Sequence, residues 1–384
     1  MTEHTRKHHV AVILGTRPEA IKLFPVIAAL RKEPALRVTV IATAQHREML
    51  DQVLAMADIV PDHDLSVMRP GQTLDSLTAL LLEGIGSLFD NIRPDRVIVQ
   101  GDTATAMCGA LAAYYRQIPV AHVEAGLRSN NIYHPWPEEV NRKVIGTIAD
   151  LHFAPTETAA TALRAENVDP STIHVTGNSV IDALLATRSR IEANPELAAD
   201  ARLVLKRFAD KRIILVTTHR RENFGDGLAN IIDAIEELAA RSDTACVLPV
   251  HLNPNVREVI ENRLSGNASV ALLHPLDYSN FTWLLAHADL VLTDSGGVQE
   301  EAPAFAKPVL VMRETTERPE GVEAGTAILV GTKKDRILLY ANRLLDDAGL
   351  RASMARAHNP FGDGTASLHI AKAIISGIRE PLLR

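Results

Sequence analysis

The sequence is poor in features that mark secreted or membrane-spanning chains. Only two cysteines, Cys108 and Cys246, occur among its 384 residues, far apart in sequence. Their number and spacing exclude a disulfide framework and a Cys-x-x-Cys metal site, and favour a reducing cytoplasm. No run of 18 apolar residues is present, so no membrane-spanning helix is expected. The charged start, MTEHTRKHHV, has no apolar signal-peptide core behind it and is expected to be a solvated tail.

An excess of basic residues is also absent. The chain has 40 Lys and Arg against 47 Asp and Glu, a formal net charge of −7. This balance argues against a nucleic-acid partner, and an anionic ligand would have to be held locally, by placed arginines and helix N-termini. None of the 15 histidines falls in an H-E-x-x-H pattern, so no metal site is predicted.

Several nucleotide-binding motifs are missing as well. The chain contains no GxxxxGK[ST], no G-x-G-x-x-G after a strand and no Tyr-x-x-x-Lys pair. A P-loop is therefore excluded, and a nicotinamide-dependent mechanism has no support in the sequence.

What the sequence does contain is an alternation of short β-branched runs with longer segments of helical period. This pattern predicts parallel sheets covered by helices on both faces. The predicted helices include 18–31, 74–92, 228–241 and 281–287. The predicted strands are 10–14, 38–43, 96–100, 120–124, 152–155, 173–176, 213–218, 246–250, 270–274, 290–293, 308–312 and 327–330.

Twelve strands in two sets of six are too many for one comfortable sheet, so the fold class is α/β with two doubly wound domains. The first domain is expected to span residues 1–177 and to carry the catalytic groups, and the second to span 178–365. The break lies near TGNSVID (176–182), after the sixth strand. Residues 366–384 are expected to form a helix that packs back on the first domain.

Polar clusters follow six of the predicted strands. Ligands of open parallel sheets bind beyond the carboxyl ends of the strands, so six clusters on corresponding edges predict a cleft between the domains. The clusters are GTRPEA (15–20), AQHRE (44–48), QGDTAT (100–105), HVEAGLR (122–128), THRREN (218–223) and DSGGVQEE (294–301).

DSGGVQEE is the strongest single motif. Its serine and glycines lie where a helix should begin, so their backbone N–H groups could bind an anion, and the glycines allow close approach. Of Glu300 and Glu301, one is expected to be solvated and the other could accept hydrogen bonds from a ribose. Arg17, Arg220 and Arg221 are candidate phosphate ligands.

PWPEEVNR (135–142) allows two interpretations. In one, Pro137 at the first helical position and the two glutamates merely favour a helix start. In the other, one glutamate transfers a proton, and Glu138 shares a helix face with Arg142, four residues later.

Ten stretches in one order, from about Val10 to about Ser367, closely resemble the bacterial non-hydrolysing UDP-N-acetylglucosamine 2-epimerases. They are GTRPEAIK, TAQHREMLDQVL, QGDTAT, HVEAGLR, PWPEEVNR, THRRENFG, PVHLNPNVRE, LTDSGGVQEEAP, TTERPEG and AHNPFGDG. The resemblance implies two Rossmann-like domains facing across a cleft, as in GT-B glycosyltransferases. It also implies a homodimer and reversible interconversion of UDP-N-acetylglucosamine and UDP-N-acetylmannosamine without an organic cofactor. The implied route eliminates UDP to a glycal and adds it back with C2 inverted.

The resemblance also implies roles for individual residues, without assigning an acid to either face of C2. Catalytic roles fall on Asp102, Glu124, Glu138, Arg142 and His219. Substrate-binding roles fall on Arg17, Lys22, Phe281, Ser295, Gly296, Gly297, Glu301 and Arg318. A site for a second UDP-N-acetylglucosamine, acting as an activator, would involve Gln45, His46, Gln72 and His251.

The sequence departs from the family pattern in places, and rival functions are open. RSNN (128–131) replaces R-T-G-D of many members, and Gln100 replaces a frequent histidine. The rivals are a GT-B glycosyltransferase, a hydrolysing epimerase that releases N-acetylmannosamine, and a non-catalytic nucleotide-sugar sensor. The three carboxylates Asp102, Glu124 and Glu138 argue against a glycosyltransferase. The presence of every expected catalytic residue argues against a non-catalytic sensor.

Overall fold

The computed structural model describes residues 6–44, 47–69, 71–218, 220, 223–250 and 253–379. The chain divides into two units. Unit 1 runs to Ala183 and resumes at Phe361, and unit 2 comprises Leu184–Pro360. No helix among the described residues is long and apolar enough to cross a membrane.

Each unit is built on one parallel sheet. The strands of unit 1 are β1 (His8–Leu14), β2 (Leu36–Ala42), β3 (His63–Asp64), β4 (Arg96–Gln100), β5 (Val120–Val123), β6 (Leu151–Ala154) and β7 (Ile173–Val175). Those of unit 2 are β8 (Arg212–Thr217), β9 (Thr244–Pro249), β10 (Val270–Leu273), β11 (Leu290–Thr293), β12 (Val309–Val311) and β13 (Ala327–Leu329).

The strand order is β3-β2-β1-β4-β5-β6-β7 in unit 1 and β10-β9-β8-β11-β12-β13 in unit 2. The order reverses beside β1 in the first sheet and beside β8 in the second, which is where doubly wound sheets bind ligands. The predicted class of two doubly wound α/β domains, with all twelve predicted strands, is confirmed.

The sheet of unit 1 contains one strand that the sequence did not predict. β3 pairs two residues with the end of β2, Ile41 with His63 and Ala42 with Asp64. It was missed because its two polar residues lie outside any apolar run that would predict a strand. They form a strand only because they pair with β2.

Helices connect and cover the strands. Those in the described residues are α1 (Arg17–Arg31), α2 (Arg47–Met56), α3 (Leu74–Ile92), α4 (Ala104–Tyr114), α5 (Glu138–Ile148), α6 (Glu157–Ala165), α7 (Ser179–Ala193), α8 (Ala199–Arg207), α9 (Asp226–Ala239), α10 (Pro254–Leu264), α11 (Tyr278–His287), α12 (Gly296–Glu301), α13 (Pro319–Glu323), α14 (Lys334–Asp346), α15 (Ala348–Arg356) and α16 (Ala366–Arg379).

Each unit has its own apolar core. In unit 1, Ile13 of β1 and Val99 of β4 pack with Leu81 and Phe89 of α3. In unit 2, Ile214 of β8 belongs to a core that includes residues of α9 and α14. The last helix, α16, packs against α1 in unit 1, with Ile370 and Ile374 buried.

Candidate active site

Glu124 lies at the end of β5 in a network of donors. Its φ of +61° is in the left-handed region, which costs a residue with a side chain on the order of 1 kcal/mol or more. The residue is 8% exposed. Lys22 Nζ donates to both carboxylate oxygens at 2.5 and 2.6 Å, and Gln100 Nε2 donates to Oε2. Asn178 Nδ2 donates to Oε1 at 3.2 Å. One cation and two neutral amides therefore orient this carboxylate.

Asp102 lies on the turn after β4, and its partners come from neighbouring elements. Arg142 of α5 forms an ion pair with its carboxylate, and Asn141 Nδ2 donates to its backbone oxygen at 2.8 Å. The preceding Gly101, with φ of +67°, makes the turn. Its backbone oxygen lies 2.7 Å from His122 Nε2. Burial lowers the pKa of His122 to about 3, so the ring is neutral and Nε2 must carry the donated proton.

The start of α5 differs from the sequence expectation. Pro137 lies at the N-cap position and Glu138 is the first helical residue. Arg142, which was expected to share a helix face with Glu138, contacts Asp102 and, at 3.1 Å, Glu139. A side chain three residues away on a helix can be reached as readily as one four residues away, and the more buried carboxylate is the partner here.

The two adjacent glutamates therefore have different surroundings. Glu139 is 0% exposed. It accepts the backbone N–H groups of Ser129 at 3.0 Å and Asn130 at 3.2 Å. Glu138 is half-buried, and its Oε2 is buried without a hydrogen-bond partner among the described residues. Glu139 thus organises the RSNN loop, whereas Glu138 has hydrogen-bonding capacity left for a ligand.

A third buried carboxylate, Glu19, joins two of the turns. Its Oε2 accepts from the Gly15 N–H, the Thr16 N–H and the Thr16 hydroxyl at 3.1, 2.8 and 2.7 Å. Its Oε1 accepts from the Thr103 hydroxyl at 2.7 Å. Full burial raises the pKa of Glu19 to about 7, although four donors favour the ionised form. Gly15 is required because a Cβ there would lie 2.3 Å from the hydroxyls of Thr43 and Thr105.

In unit 2, a buried aspartate joins the ends of β8 and β11. Asp294 Oδ2 accepts from Thr218 Oγ1, the Arg220 N–H and Asn223 Nδ2, each at 3.0 Å. Ser295 follows as the N-cap of α12, and its own N–H donates to Thr293 Oγ1 at 2.9 Å. The loop after β8 is thereby held against the start of α12.

Two guanidinium groups lie beside the glycines of α12. A Cβ built on Gly296 would be 3.9 Å from Arg220 Nη2 and 4.0 Å from Arg318 Nη2, and one on Gly297 would be 4.0 Å from Ser295 Oγ. Arg318 also forms an ion pair with Glu300. The start of α12 thus combines a helix N-terminus with two cations, which suits an anion.

One expectation for this helix was wrong. Neither Glu300 nor Glu301 is solvated, because both are buried. A six-residue helix that begins directly after a central strand has little exposed surface, so the sequence pattern of adjacent charges misleads here.

The other predicted site residues are distributed as follows. Arg17 is the first residue of α1, and Phe281 lies on α11; both are half-buried. Gln72 Oε1 accepts from the Arg69 N–H at 3.2 Å, and its Nε2 is buried without a partner among the described residues. His219, Arg221, Gln45, His46 and His251 lie outside the described residues.

Several residues that contact the candidate carboxylates or the turns that carry them were not predicted from the sequence. Glu19 could have been found, because Thr16 and Glu19 form a capping-box pattern that the structure bears out. Asn178 directly follows the strand-end sequence Thr176–Gly177, but nothing local indicates that its amide reaches Glu124. His122 and Asn141 carry no sequence signal for their contacts with the β4 turn.

The family model described as UDP-N-acetylglucosamine 2-epimerase matches residues 28–375 of this chain. The chain belongs to the UDP-N-acetylglucosamine 2-epimerase family. It is 51% identical over 370 residues to the UDP-N-acetylglucosamine 2-epimerase of Escherichia coli K12, covering 95% of this chain and 98% of that protein.

Solved structures of the epimerase family share the fold. The Neisseria meningitidis UDP-GlcNAc 2-epimerase bound to UDP-GlcNAc has a TM-score of 0.86 at 42% identity, covering 96% of this chain and 100% of the other. The Methanocaldococcus jannaschii epimerase in complex with UDP-GlcNAc and UDP has a TM-score of 0.79 at 34% identity, with the same coverage. The chain is thus an isomerase of this family, and a glycosyltransferase, a hydrolysing epimerase or a sensor is not favoured.

Proposed function

We propose that this chain interconverts UDP-N-acetylglucosamine and UDP-N-acetylmannosamine by eliminating UDP and adding it back with C2 inverted. The observation that carries the proposal is the carboxylate set of unit 1. Glu124 is held by Lys22, Asp102 is held by Arg142, and Glu138 keeps a buried oxygen without a partner among the described residues. Family membership supports this chemistry.

The chemistry explains why several carboxyl groups are required. In the forward direction, a carboxylate takes the C2 proton, and the electrons of the C2–H bond form a C1–C2 double bond. The C1–O bond breaks at the same time, and its electron pair leaves with UDP. In the return, a carboxyl group delivers a proton to the opposite face of C2, and a β-phosphate oxygen rebuilds the bond to C1. Carboxyl groups with different surroundings suit these two opposite proton transfers.

Asp102, Glu124 and Glu138 are the proposed acid–base residues, with Arg142 and His219 in support. Lys22 and Arg142 form ion pairs with Glu124 and Asp102 and so hold these two carboxylates in place.

The start of α12 in unit 2 is the proposed diphosphate site. Ser295, Gly296 and Gly297 would offer backbone N–H groups, and Arg220 and Arg318 would add positive charge as the leaving group becomes more negative. Phe281, Glu301 and Arg17 complete the proposed substrate contacts.

Incubation with UDP-N-acetylglucosamine alone in heavy water tests the reaction. We expect both epimers to accumulate as intact UDP-sugars, and the UDP-N-acetylmannosamine to carry deuterium at C2 by NMR, because the proton returned to C2 comes from a group that exchanges with solvent. Free N-acetylmannosamine with UDP would indicate a hydrolysing enzyme instead. No reaction without an added acceptor would favour a glycosyltransferase.

Finer expectations from the sequence remain predictions. These are a homodimer, a cytoplasmic location, no nucleic-acid or membrane partner, and an activator site for a second UDP-N-acetylglucosamine at Gln45, His46, Gln72 and His251. The amide nitrogen of Gln72, which is buried without a partner among the described residues, supports a polar ligand near that residue.

A further inference from the structure

Asn178 contacts the proposed acid–base residue Glu124 from a segment far away in sequence. It is the residue before α7 and is 2% exposed. Its backbone N–H donates to the Phe361 carbonyl oxygen at 2.7 Å. Its side-chain Oδ1 accepts the Val180 N–H at 3.1 Å, and its Nδ2 donates to Glu124 Oε1 at 3.2 Å.

These contacts fix the orientation of the Asn178 amide. A backbone N–H can only donate, so the atom facing Val180 must be the amide oxygen. The amide nitrogen must then face Glu124, and a rotated amide would lose both hydrogen bonds. Asn178 therefore presents a neutral donor to the carboxylate.

The segment that carries Asn178 is fastened to the chain that returns to unit 1. Gly177 and Gly362 are in close backbone contact, since a Cβ on Gly177 would lie 3.2 Å from the Gly362 Cα. Asp182 accepts the backbone N–H groups of Ala366 at 3.2 Å and Ser367 at 2.8 Å, at the start of α16. The Asn178 amide therefore has little freedom to move away from Glu124.

We infer that Asn178 is a positioning residue that sets the orientation and protonation of Glu124 during epimerisation. The inference rests on the proposed function. Among the described residues, the charged or titratable groups on the elements around this carboxylate include Lys22 from α1, His122 on β5, and Asp102 on the turn after β4, which is itself paired with Arg142. Asn178 is thus a neutral donor in a network that already holds one directly bound cation.

The replacement Asn178→Asp tests this role without changing the shape of the side chain. The aspartate can still accept the Val180 N–H, but its second oxygen would face Glu124 Oε1, and like charges oppose ionisation. Whichever limb of the pH profile of kcat/KM belongs to Glu124 should move to higher pH by about one unit. We expect kcat at pH 7 to fall by at least about tenfold, from the shifted protonation and the lost hydrogen bond.

Asp182→Asn is the matched control. It weakens the fastening of the same segment, four residues away, and does not touch Glu124. It should lower the thermal midpoint and leave the pH profile in place. A profile for Asn178→Asp that superimposes on wild type, or an equal displacement in Asp182→Asn, would overturn the inference.

Two further measurements keep the test decisive. If Asn178→Asp does not fold, Asn178→Ser removes the donor to Glu124 but keeps a hydroxyl for Val180, and it should move the same limb in the same direction by a smaller amount.

If wild type does not epimerise, the proposed function fails by itself. The Glu124 carboxyl carbon is then titrated by NMR, with Glu124→Gln for assignment. A midpoint that is not higher in the Asn178 variant overturns the role of Asn178.

Discussion

Glu138 and Glu139 are chemically identical neighbours at the start of α5, but their contacts with the other described residues differ. Glu139 is fully buried and accepts from Ser129, Asn130 and Arg142. Glu138 keeps a buried oxygen without a partner among the described residues. The contacts assign a structural role to Glu139 and are consistent with a role in proton transfer for Glu138.

We therefore predict opposite effects of two isosteric substitutions. Glu138→Gln should lower kcat by roughly 100-fold or more, the size of an acid–base contribution, and should leave the thermal midpoint almost unchanged. Glu139→Gln should instead cost about 3 kcal/mol of stability, because it leaves Arg142 with one buried carboxylate fewer and places an NH2 group against a backbone donor.

Turnover and thermal midpoints of both variants provide the measurement. Equal, mild losses of kcat would mean that both glutamates only favour the helix start. A Glu139→Gln variant as stable as wild type would contradict the structural role assigned to that residue.

At the scale of elements, the junction between the β1–α1 turn and the β4–α4 turn depends on the buried carboxyl of Glu19. Burial raises its pKa from the ordinary value of 4.5 to about 7. The folded state then binds more protons than the unfolded state between about pH 4.5 and 7. Its contribution to stability is complete below that window and is lost as pH rises through it.

This linkage predicts a pH-dependent difference between wild type and Glu19→Gln. The stability of wild type relative to the variant should be greatest below pH 4.5 and fall by about 3 kcal/mol by pH 8, because the pKa is raised by roughly 2.5. Urea unfolding of both proteins at several pH values measures it. Thr103→Val removes a donor to the ionised form and should extend the window to higher pH. A difference that does not vary with pH would show that Glu19 does not titrate here.

Elements with strong periodicity could be predicted from the sequence, and those defined by their neighbours could not. The buried apolar runs of β4 and β11 and the periodic α3 appear at the predicted positions, because local pattern decides them. β3 and the start of α5 depend on contacts with distant residues. The same division holds within the site. Strand ends located Asp102 and Glu124, whereas the contacts of Arg142 with Glu139 and of Asn178 with Glu124 depend on tertiary packing.

At the scale of the whole molecule, both units place polar residues at the same point of the same strand order. In unit 1 they follow β1, β4 and β5, and in unit 2 they follow β8 and β11. The proposed acid–base carboxylates lie in unit 1, and guanidinium groups lie beside a helix N-terminus in unit 2. A net charge of −7 cannot by itself attract a diphosphate, so the affinity for UDP should depend on that local site.

Binding of UDP to the folded protein should therefore raise the thermal midpoint of the whole molecule, by mass action, and Gly296 should control the effect. At 100 times Kd the stabilisation is about 2.7 kcal/mol. Gly296 has room for a larger side chain, since the nearest atoms to an added Cβ among the described residues are the guanidinium nitrogens of Arg220 and Arg318, at 3.9 and 4.0 Å. Gly296→Val should thus keep most of the stability of wild type without UDP, but occupy the space between the two cations.

Differential scanning fluorimetry with increasing UDP should show a rising midpoint for wild type and for the control Gly227→Ala on α9, and a flat response for Gly296→Val. A variant that responds to UDP like wild type would mean that the diphosphate binds elsewhere.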